Sequence, residues 1–383
     1  MLLDKTFAQF FKREQEALAV RLRDSGFSSI TIDAILSSGF VLRHDGMVWD
    51  SYYGPVWQEP FEAFRRSLNS RNGLKRTFPV YRVKSLDHAR EVLERPELHY
   101  REGQDYICFR GQTRQHSVRR PFANPLYSNT AGEETLLLPG YWRQYRDSSG
   151  HVSNERPMAP TANFLDILGD HLFYWGIDVD ALEQKIYDRY GWHHMSDLED
   201  FPDPDIQEYA DRYNQKLRSQ PELILLGQHY GIQTPGLDVT FDFKVALFFA
   251  THRFAPRENG KSTYVPLTSE HGGAVYLLRF RSPSLRKSSD QISTIDIFQH
   301  ILPVRPLRQS CALPVFPSYY VNEAAARIVA KLEIDSDFSG VGLPRPEELF
   351  PSKEEDPFYR ALLDLKSRYP EELESVPDYD FQK

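Results

Sequence analysis

The octapeptide YICFRGQT, residues 106–113, decides the fold of the central part of the chain, because it ends an apolar run with an arginine and a glycine. The apolar run predicts a β-strand. Alternate side chains of a strand point to opposite faces, so Phe109 faces one side while Cys108 and Arg110 face the other. We expect the guanidinium of Arg110 to leave the core side of the sheet.

The polar groups around Arg110 suit the beginning of an anion or nucleotide site. Gly111 permits a turn or the close approach of another group to the backbone, and Gln112 supplies a side-chain donor where the strand ends. Arginine holds phosphate through a planar fork of donors. The competing interpretation is a structural ion pair below a loop, since buried arginines are normally paired.

Composition excludes several classes of protein. The 383 residues carry a formal net charge of -8, which argues against a general polyanion binder, although the basic stretches RQHSVRR (114–120) and RPLRQ (305–309) can still line a cleft. No run approaches the ~18 apolar residues of a membrane span. The two cysteines, Cys108 and Cys311, are too few for a disulfide framework or a structural zinc site. We therefore predict a cytoplasmic protein with no membrane partner and no metal.

Turn signals and periodicity divide the chain into three parts. Residues 1–77 are predicted to be helical and end at the turn-rich tract NSRNGLKRTFP. Residues 78–316 mix strands and helices, with Ser85 predicted to cap a helix. Residues 317–383 hold an acidic, proline-bearing connector and a helix, and we expect them to form an appendage. The fold class predicted is α+β.

The second informative stretch is LILLGQHYGIQTPGLDVTFDFKVALFFATH, residues 223–252. Its second half predicts a helix that begins after Thr240 or Asp242, either of which can cap it. Its apolar spacing places five residues on one helical face. These are Val245, Ala246, Phe248, Phe249 and His252.

Four segments resemble a known family when they are taken together. FRGQ, LLPGYWR, QHYGIQTPGLDVTFDFKVALFFA and RPLRQSCALPVF occur in this order and resemble the FRG domain, named for its Phe-Arg-Gly motif, over residues 78–316. The FRG domain is similar in motif order to the ADP-ribosyltransferase fold. The resemblance therefore implies an ADP-ribosyltransferase-like core with a mixed or antiparallel sheet, flanked by helical N-terminal and C-terminal appendages.

The resemblance also implies three catalytic positions. Arg110 ends the first strand and would hold the pyrophosphate of NAD, and Thr240 precedes the helix and would orient a ribose hydroxyl. Gln309 stands where a transferase ordinarily carries glutamate; its amide can accept a bond from the ribose 2′-hydroxyl but brings no charge. We expect all three side chains to converge on one cleft.

Five residues are predicted to contact the nucleotide: Arg110, Gly111, Gln112, His229 and Tyr230. The last two would flank it by hydrogen bonding and by stacking. Each candidate has a structural alternative. Thr240 can be a helix cap, His229 a structural residue of a turn, Tyr230 a packing residue and Gln309 an anchor for a loop.

The function that the resemblance implies is that of an NAD-using ADP-ribosyltransferase or NAD glycohydrolase. NAD would be its substrate, a protein or a nucleic acid the acceptor, and a bacterial toxin or an antiphage defence effector its setting. The alternative is a catalytically inactive sensor that binds nucleotide or nucleic acid, with flanking helices that bind a protein partner. Gln309 is the residue that separates the two.

Overall fold

The structure of the protein is a computed structural model. It describes residues 11–56, 58–69, 78–98, 105–124, 127–129, 131–143, 164, 166–169, 171, 178–191, 204–232, 234, 236–256, 261–267, 272–281, 285–314, 321–379 and 381.

Helices occur along the whole of the described chain. They are α1 (Lys12–Asp24), α2 (Ser29–Ser37), α3 (Phe61–Asn69), α4 (Leu86–Leu93), α5 (Gly140–Arg143), α6 (Val179–Tyr190), α7 (Pro204–Gly227), α8 (Phe243–Thr251), α9 (Ser288–Ser293), α10 (Arg305–Arg308), α11 (Glu323–Ala326), α12 (Pro346–Leu349) and α13 (Pro357–Arg368). Ser85 caps α4 as predicted, because its hydroxyl accepts a hydrogen bond from the backbone amide of His88 at 3.1 Å. Within the described residues, no helix combines the length and the apolarity needed to cross a membrane.

The strands are equally spread along the chain. They are β1 (Phe40–Leu42), β2 (Met47–Asp50), β3 (Gln58–Pro60), β4 (Val80–Ser85), β5 (Asp105–Gln112), β6 (Ser117–Val118), β7 (Glu134–Thr135), β8 (Val239–Thr240), β9 (His252–Pro256), β10 (Ser262–Pro266), β11 (Ala274–Arg281), β12 (Leu285–Lys287), β13 (Cys311–Pro314) and β14 (Ile328–Ser339).

Seven strands form the main sheet, in the order β12-β13-β8-β5-β11-β14-β4. β14 pairs with β4 in parallel, and the other neighbouring strands of this sheet are antiparallel. The predicted α+β fold with a mixed sheet is therefore confirmed. The strand predicted at residues 106–113 lies in the middle of this sheet as β5.

Both faces of β5 are covered, which corrects the expectation that Arg110 leaves the core side. Cys108 lies on the face of Arg110 and is fully buried in a cluster with Phe40 and Phe64 of the N-terminal region. Phe109, on the other face, packs beside a cluster that includes Leu247 of α8. Arg110 is thus partly buried on the same covered face as Cys108.

The glycine of the FRG sequence brings α8 close to the sheet. A Cβ atom at Gly111 would overlap the carbonyl oxygen of Ala246, and one at Gly273 of the 272–273 turn would overlap that of Ala250. Any larger residue at either position would push the helix outward. The close approach predicted at Gly111 therefore exists, but the approaching group is the helix backbone.

The N-terminal region contains more than helices, which corrects the prediction for residues 1–77. β1, β2 and β3 form an antiparallel sheet that packs with α1, α2 and α3 on the main sheet. Asp50 at the end of β2 is fully buried and pairs with Arg120, which also pairs with the fully buried Glu134 at 2.7 Å. This ionic cluster joins the N-terminal region to the segment after β5.

The C-terminal residues are part of the core, which corrects the expectation of an appendage. β14 lies between β11 and β4 in the main sheet. Phe358 and Leu362 of α13 are fully buried in a cluster with Tyr230. The last described residues run beside β10, where Tyr379 forms a parallel bridge with Ser262. The described residues of this region, 321–379, therefore contribute a strand to the main sheet and side chains to the core.

Candidate functional site

A cavity of about 350 Å³ opens at the place where β8 ends beside β5. β5 and β8 are paired only at Phe109 and Thr240, and beyond this pair the two strands separate. The walls of the cavity come from β5, the segment 238–240, one side of α8, the start of β9, and the segment that leads into β13. Arg110, Thr240 and Gln309 all line it, so the three residues converge as expected.

Arg110 uses only part of its guanidinium for the fold. Its Nη1 donates to the carbonyl oxygen of Asp238 at 2.8 Å, whereas its Nε is buried without a partner among the described residues. Burial lowers the pKa of Arg110, against the opposing effects of Asp238 and Cys311. Arginine nevertheless keeps its proton in proteins. The cavity therefore contains a positive charge whose donors are incompletely used.

Gln112 has the most unsatisfied side chain of the cavity wall. It is only 7% exposed, and neither its amide nitrogen nor its amide oxygen has a partner within the described residues. Leaving a buried donor or acceptor unpaired costs about 1–3 kcal/mol. A donor and an acceptor two residues from Arg110 are therefore available to a ligand.

Thr240 is committed to the fold. Its hydroxyl donates to the carbonyl oxygen of Gln309 at 2.6 Å and accepts from the backbone amide of Asp242 at 3.0 Å. Asp242 is the cap of α8, because its carboxylate accepts from the amide of Lys244 at 2.8 Å. Thr240 therefore ties the start of α8 to the segment before β13, and its hydroxyl lies at the wall of the cavity.

Gln309 borders the cavity but its amide is also engaged. Its Nε2 donates to the carbonyl oxygen of Leu349 at 3.1 Å, and its Oε1 lies 3.7 Å from the thiol of Cys311. The side chain is nearly inaccessible, at 3% exposure. The next residue, Ser310, has a φ of 46°, so the chain turns sharply here and brings Cys311 into β13.

His229 and Tyr230 lie behind the cavity rather than in its lining. His229 Nε2 is 3.6 Å from a carboxylate oxygen of Asp238, and its Nδ1 is 3.7 Å from the thiol of Cys311. Tyr230 is fully buried and donates to Asp356 at 2.8 Å. The sequence predicted that both residues contact a nucleotide. In the structure they lie outside the lining and support residues that do line the cavity.

Several lining residues escaped the sequence prediction. Arg253 and Phe254 lie in β9, the strand that begins where α8 ends. The sequence feature that could have identified them is the apolar face of α8, because it leads into β9. Arg114 and His116 come from the basic stretch 114–120, which was predicted to be able to line a cleft. The other basic stretch, 305–309, contributes Gln309, whereas Arg305 is fully buried.

The cavity lining carries more positive than negative charges, whereas the whole chain has a negative net charge. Arg110, Arg114 and Arg253 line it, and Asp238 is the one carboxylate among its described lining residues. Phe254 is 47% exposed, which is unusual for a phenylalanine beside such charges. The arrangement suits an anionic ligand with an aromatic part. Elsewhere in the described chain, no group of three His, Cys, Asp or Glu side chains is placed to hold a metal ion.

The FRG domain family model matches residues 182–259, which supports the resemblance to the FRG domain. The matched segment includes Asp238, Thr240, α8 and the β9 residues of the cavity, and it ends before Gln309. It lies inside the range 78–316 over which the motifs were recognised, and the FRGQ sequence precedes it. No curated protein and no solved structure matches the chain.

Proposed function

We propose that the cavity binds NAD or a related nucleotide and that the protein cleaves the nicotinamide bond, with transfer of ADP-ribose to water or to an acceptor. The observation that carries this proposal is the pair formed by Arg110 and Gln112. Both side chains lie in one cavity wall and keep buried polar atoms that have no partner among the described residues. Such atoms are the ones that a polar ligand would satisfy.

The charge of the cavity supports a pyrophosphate. Three arginines line the cavity, and each guanidinium can bind two phosphate oxygens at once. Arg110 hydrogen-bonds the backbone of Asp238, and Arg114 and Arg253 come from the two segments that follow β5 and α8. A nucleotide diphosphate would supply the negative charge that these residues lack.

The aromatic residues support a nucleotide base. Phe109 and Phe249 line the cavity, and Phe254 exposes almost half of its surface there. Every nucleotide base offers a flat face for stacking, which contributes about 1–3 kcal/mol per base. A ligand with only phosphate groups would leave these rings in water.

Asp238 is the residue that can stabilise positive charge on the sugar. Cleavage of the nicotinamide bond passes through an oxocarbenium-like ribose, which a nearby carboxylate favours over the ground state. Gln309 brings no charge, and its Nε2 is already bonded to Leu349. Asp238 therefore takes the role that the resemblance gave to the third position.

A second candidate is nucleotide binding without turnover, as in a sensor of nucleotide or nucleic acid. The neutral amide of Gln309 favours it, because a glutamate is absent where a transferase ordinarily carries one. In either case the setting we propose, a toxin or an antiphage defence effector, rests on the resemblance to the FRG domain.

Incubation with labelled NAD separates the two candidates. Calorimetry should detect binding of NAD in the micromolar range and weaker binding of inorganic pyrophosphate, which lacks the base. Release of nicotinamide, with or without labelling of added protein or RNA, supports the enzyme. Binding without release supports the sensor, and the absence of binding contradicts both.

A further inference from the structure

A second cavity of about 300 Å³ adjoins the C-terminal end of α8. Its walls combine apolar residues, which include Leu267, Ile334 and Phe338, with polar ones, and Asp335 is the charged residue among them. His252 lines this cavity and also the first one. An imidazole therefore borders both spaces.

The fold fixes the ring of His252 and its tautomer. The ring stacks on Phe248 at 4.3 Å with an interplanar angle of 12°. Its Nδ1 lies 3.2 Å from the carbonyl oxygen of Phe248 and 3.0 Å from the hydroxyl of Thr251. A carbonyl oxygen only accepts, and the hydroxyl of Thr251 already donates to the carbonyl oxygen of Leu247 at 2.8 Å, so both contacts favour a proton on Nδ1 and a lone pair on Nε2 of the neutral ring. Nε2 has no hydrogen-bond partner in the described part of the chain.

The surroundings keep this imidazole neutral. Burial lowers the pKa of His252, against the smaller effect of the Phe248 carbonyl. The titratable and charged groups that line the two cavities with it are Arg110, Arg114, His116, Asp238, Arg253, Cys311 and Asp335.

Asp335 gives the second cavity a negative charge. The backbone amide of Asp337 donates to its carboxylate at 3.1 Å and lowers its pKa, and Lys84 and Arg82 of β4 add to this effect. Neither cation lines the cavity. A basic side chain matches such a space, because its apolar stem can lie on Ile334 and Phe338 while its charged end approaches a carboxylate.

We propose that the second cavity takes a basic side chain of a protein acceptor, lysine or arginine, and that His252 Nε2 accepts the proton of its nucleophilic nitrogen. This inference rests on the proposed function, in which the first cavity holds NAD. The bond between the ribose C1′ and the nicotinamide nitrogen breaks, and nicotinamide leaves with the electron pair. The acceptor nitrogen gives a proton to Nε2, which leaves the nitrogen a lone pair; this pair forms the bond to C1′, and Nε2 then passes the proton to water.

The variant His252→Asn tests the role of the imidazole. Asparagine can still donate to the carbonyl of Phe248 but has no basic nitrogen. We expect NAD affinity, measured by calorimetry, to stay within about twofold, and transfer to a lysine- and arginine-containing peptide to fall by about 10²–10⁴-fold. The wild-type transfer rate should fall at acidic pH as His252 protonates, and the variant should lose this dependence. His44→Asn, an exposed histidine between β1 and β2, is the control.

A second pair of variants tests the acceptor cavity. Ser336→Trp fills it from its exposed rim, whereas Ser339→Trp adds the same bulk to an exposed position of β14 outside its lining. We expect the first to reduce peptide labelling at least tenfold without loss of NAD binding, and the second to change neither.

Three results would overturn the inference. A His252→Asn variant that transfers at the wild-type rate removes the histidine from the reaction while leaving the proposed function intact. Labelling of RNA but not of the peptide contradicts the basic side chain as acceptor. A wild-type protein that does not bind NAD contradicts the proposed function, and this inference falls with it.

Discussion

The residues of the cavity differ in how many of their hydrogen-bonding groups are already paired within the protein. In the described part of the chain, Arg110 donates to one backbone carbonyl and leaves Nε unpaired, and Gln112 leaves its whole amide unpaired. Thr240 and Gln309, in contrast, are bonded on both sides to protein atoms. We therefore propose that the first two contact the ligand, whereas the last two hold the walls in place.

Replacing Arg110 by lysine tests its contact with phosphate. Lysine keeps the charge but loses the planar fork, so we expect NAD affinity to fall roughly tenfold, about 1.4 kcal/mol, with little change in melting temperature. Calorimetry and a thermal melt measure the two. Arg90→Lys, at an exposed ion pair with Asp87, is the matched control and should change neither. Unchanged affinity in Arg110→Lys would make Arg110 a structural residue.

Replacing Gln309 by glutamate tests both of its roles. Glutamate loses the donor to the Leu349 carbonyl and sets a carboxylate against it, so we expect the free energy of unfolding to fall by about 1–3 kcal/mol. The added negative charge at the cavity should raise NAD cleavage per folded molecule. Denaturant titration and nicotinamide release measure these effects.

The comparison with Gln309→Ala completes this test. Alanine also loses the donor but adds no charge, so it should destabilise the protein without raising cleavage. Equal cleavage in both variants would leave Asp238 as the group that stabilises the sugar.

At the scale of elements, the cavity depends on how α8 and β9 are held. Gly111 and Gly273 let α8 lie directly on β5 and β11, which positions the lining face of the helix. β9 pairs with β10, and β10 is joined in turn to the C-terminal tail, because the amide of Ser262 donates to the carbonyl of Asp378 at 2.7 Å. The tail thus supports the wall that carries Arg253 and Phe254.

Tyr379→Ala tests this support. The ring of Tyr379 lies 5.1 Å from Phe350, stacks near Tyr264 of β10 and faces the guanidinium of Arg305 at 4.8 Å. Its loss should loosen β9 and β10 and lower NAD affinity roughly threefold to tenfold, about 0.7–1.4 kcal/mol. Hydrogen exchange at β10 should accelerate, while exchange in β5 and β11 stays slow. Tyr187→Ala, an exposed tyrosine of α6, is the control. Unchanged exchange at β10 would show that the tail gives no support.

At the scale of the whole molecule, the N-terminal region and the main sheet form one body. Arg120 donates to Asp50, to Glu134 and to the carbonyl oxygen of Ser38, and the two carboxylates and the guanidinium are fully inaccessible. Because these three charged groups are buried, each depends on the opposite charge beside it. The removal of one group leaves the charge of the others uncompensated.

Arg120→Ala should therefore destabilise the whole protein by roughly 3–5 kcal/mol, because two buried carboxylates lose their cation. A denaturant titration followed by far-ultraviolet circular dichroism and by tyrosine fluorescence should give one coincident transition at a lower midpoint. Arg119→Ala is the control, since Arg119 forms an exposed ion pair with Glu133 at 3.3 Å, worth about 0–1 kcal/mol. Two separate transitions in Arg120→Ala would mean that the N-terminal region unfolds independently.

The sequence alone determined the features that depend on local pattern. The alternation around residues 106–113 predicted β5, and the spacing of residues 245–252 predicted α8, although His252 begins the next strand and not the last turn of the helix. Ser85 was identified as a cap, and the α+β class followed from the mixture of such elements. These predictions hold because periodicity and capping act within one turn or one strand.

Only the tertiary structure decided which polar groups remain free for a ligand. Arg110 hydrogen-bonds to a carbonyl 128 residues away, and Thr240 to one 69 residues away. No local pattern therefore reveals that the first side chain keeps donors for a ligand and that the second has its hydrogen bonds filled by the protein. The insertion of β14 into the sheet and the place of His252 between two cavities depend on the same distant contacts. The physical reason is that burial and hydrogen-bond partners are set by whichever segments the fold brings together, and sequence spacing carries no record of them.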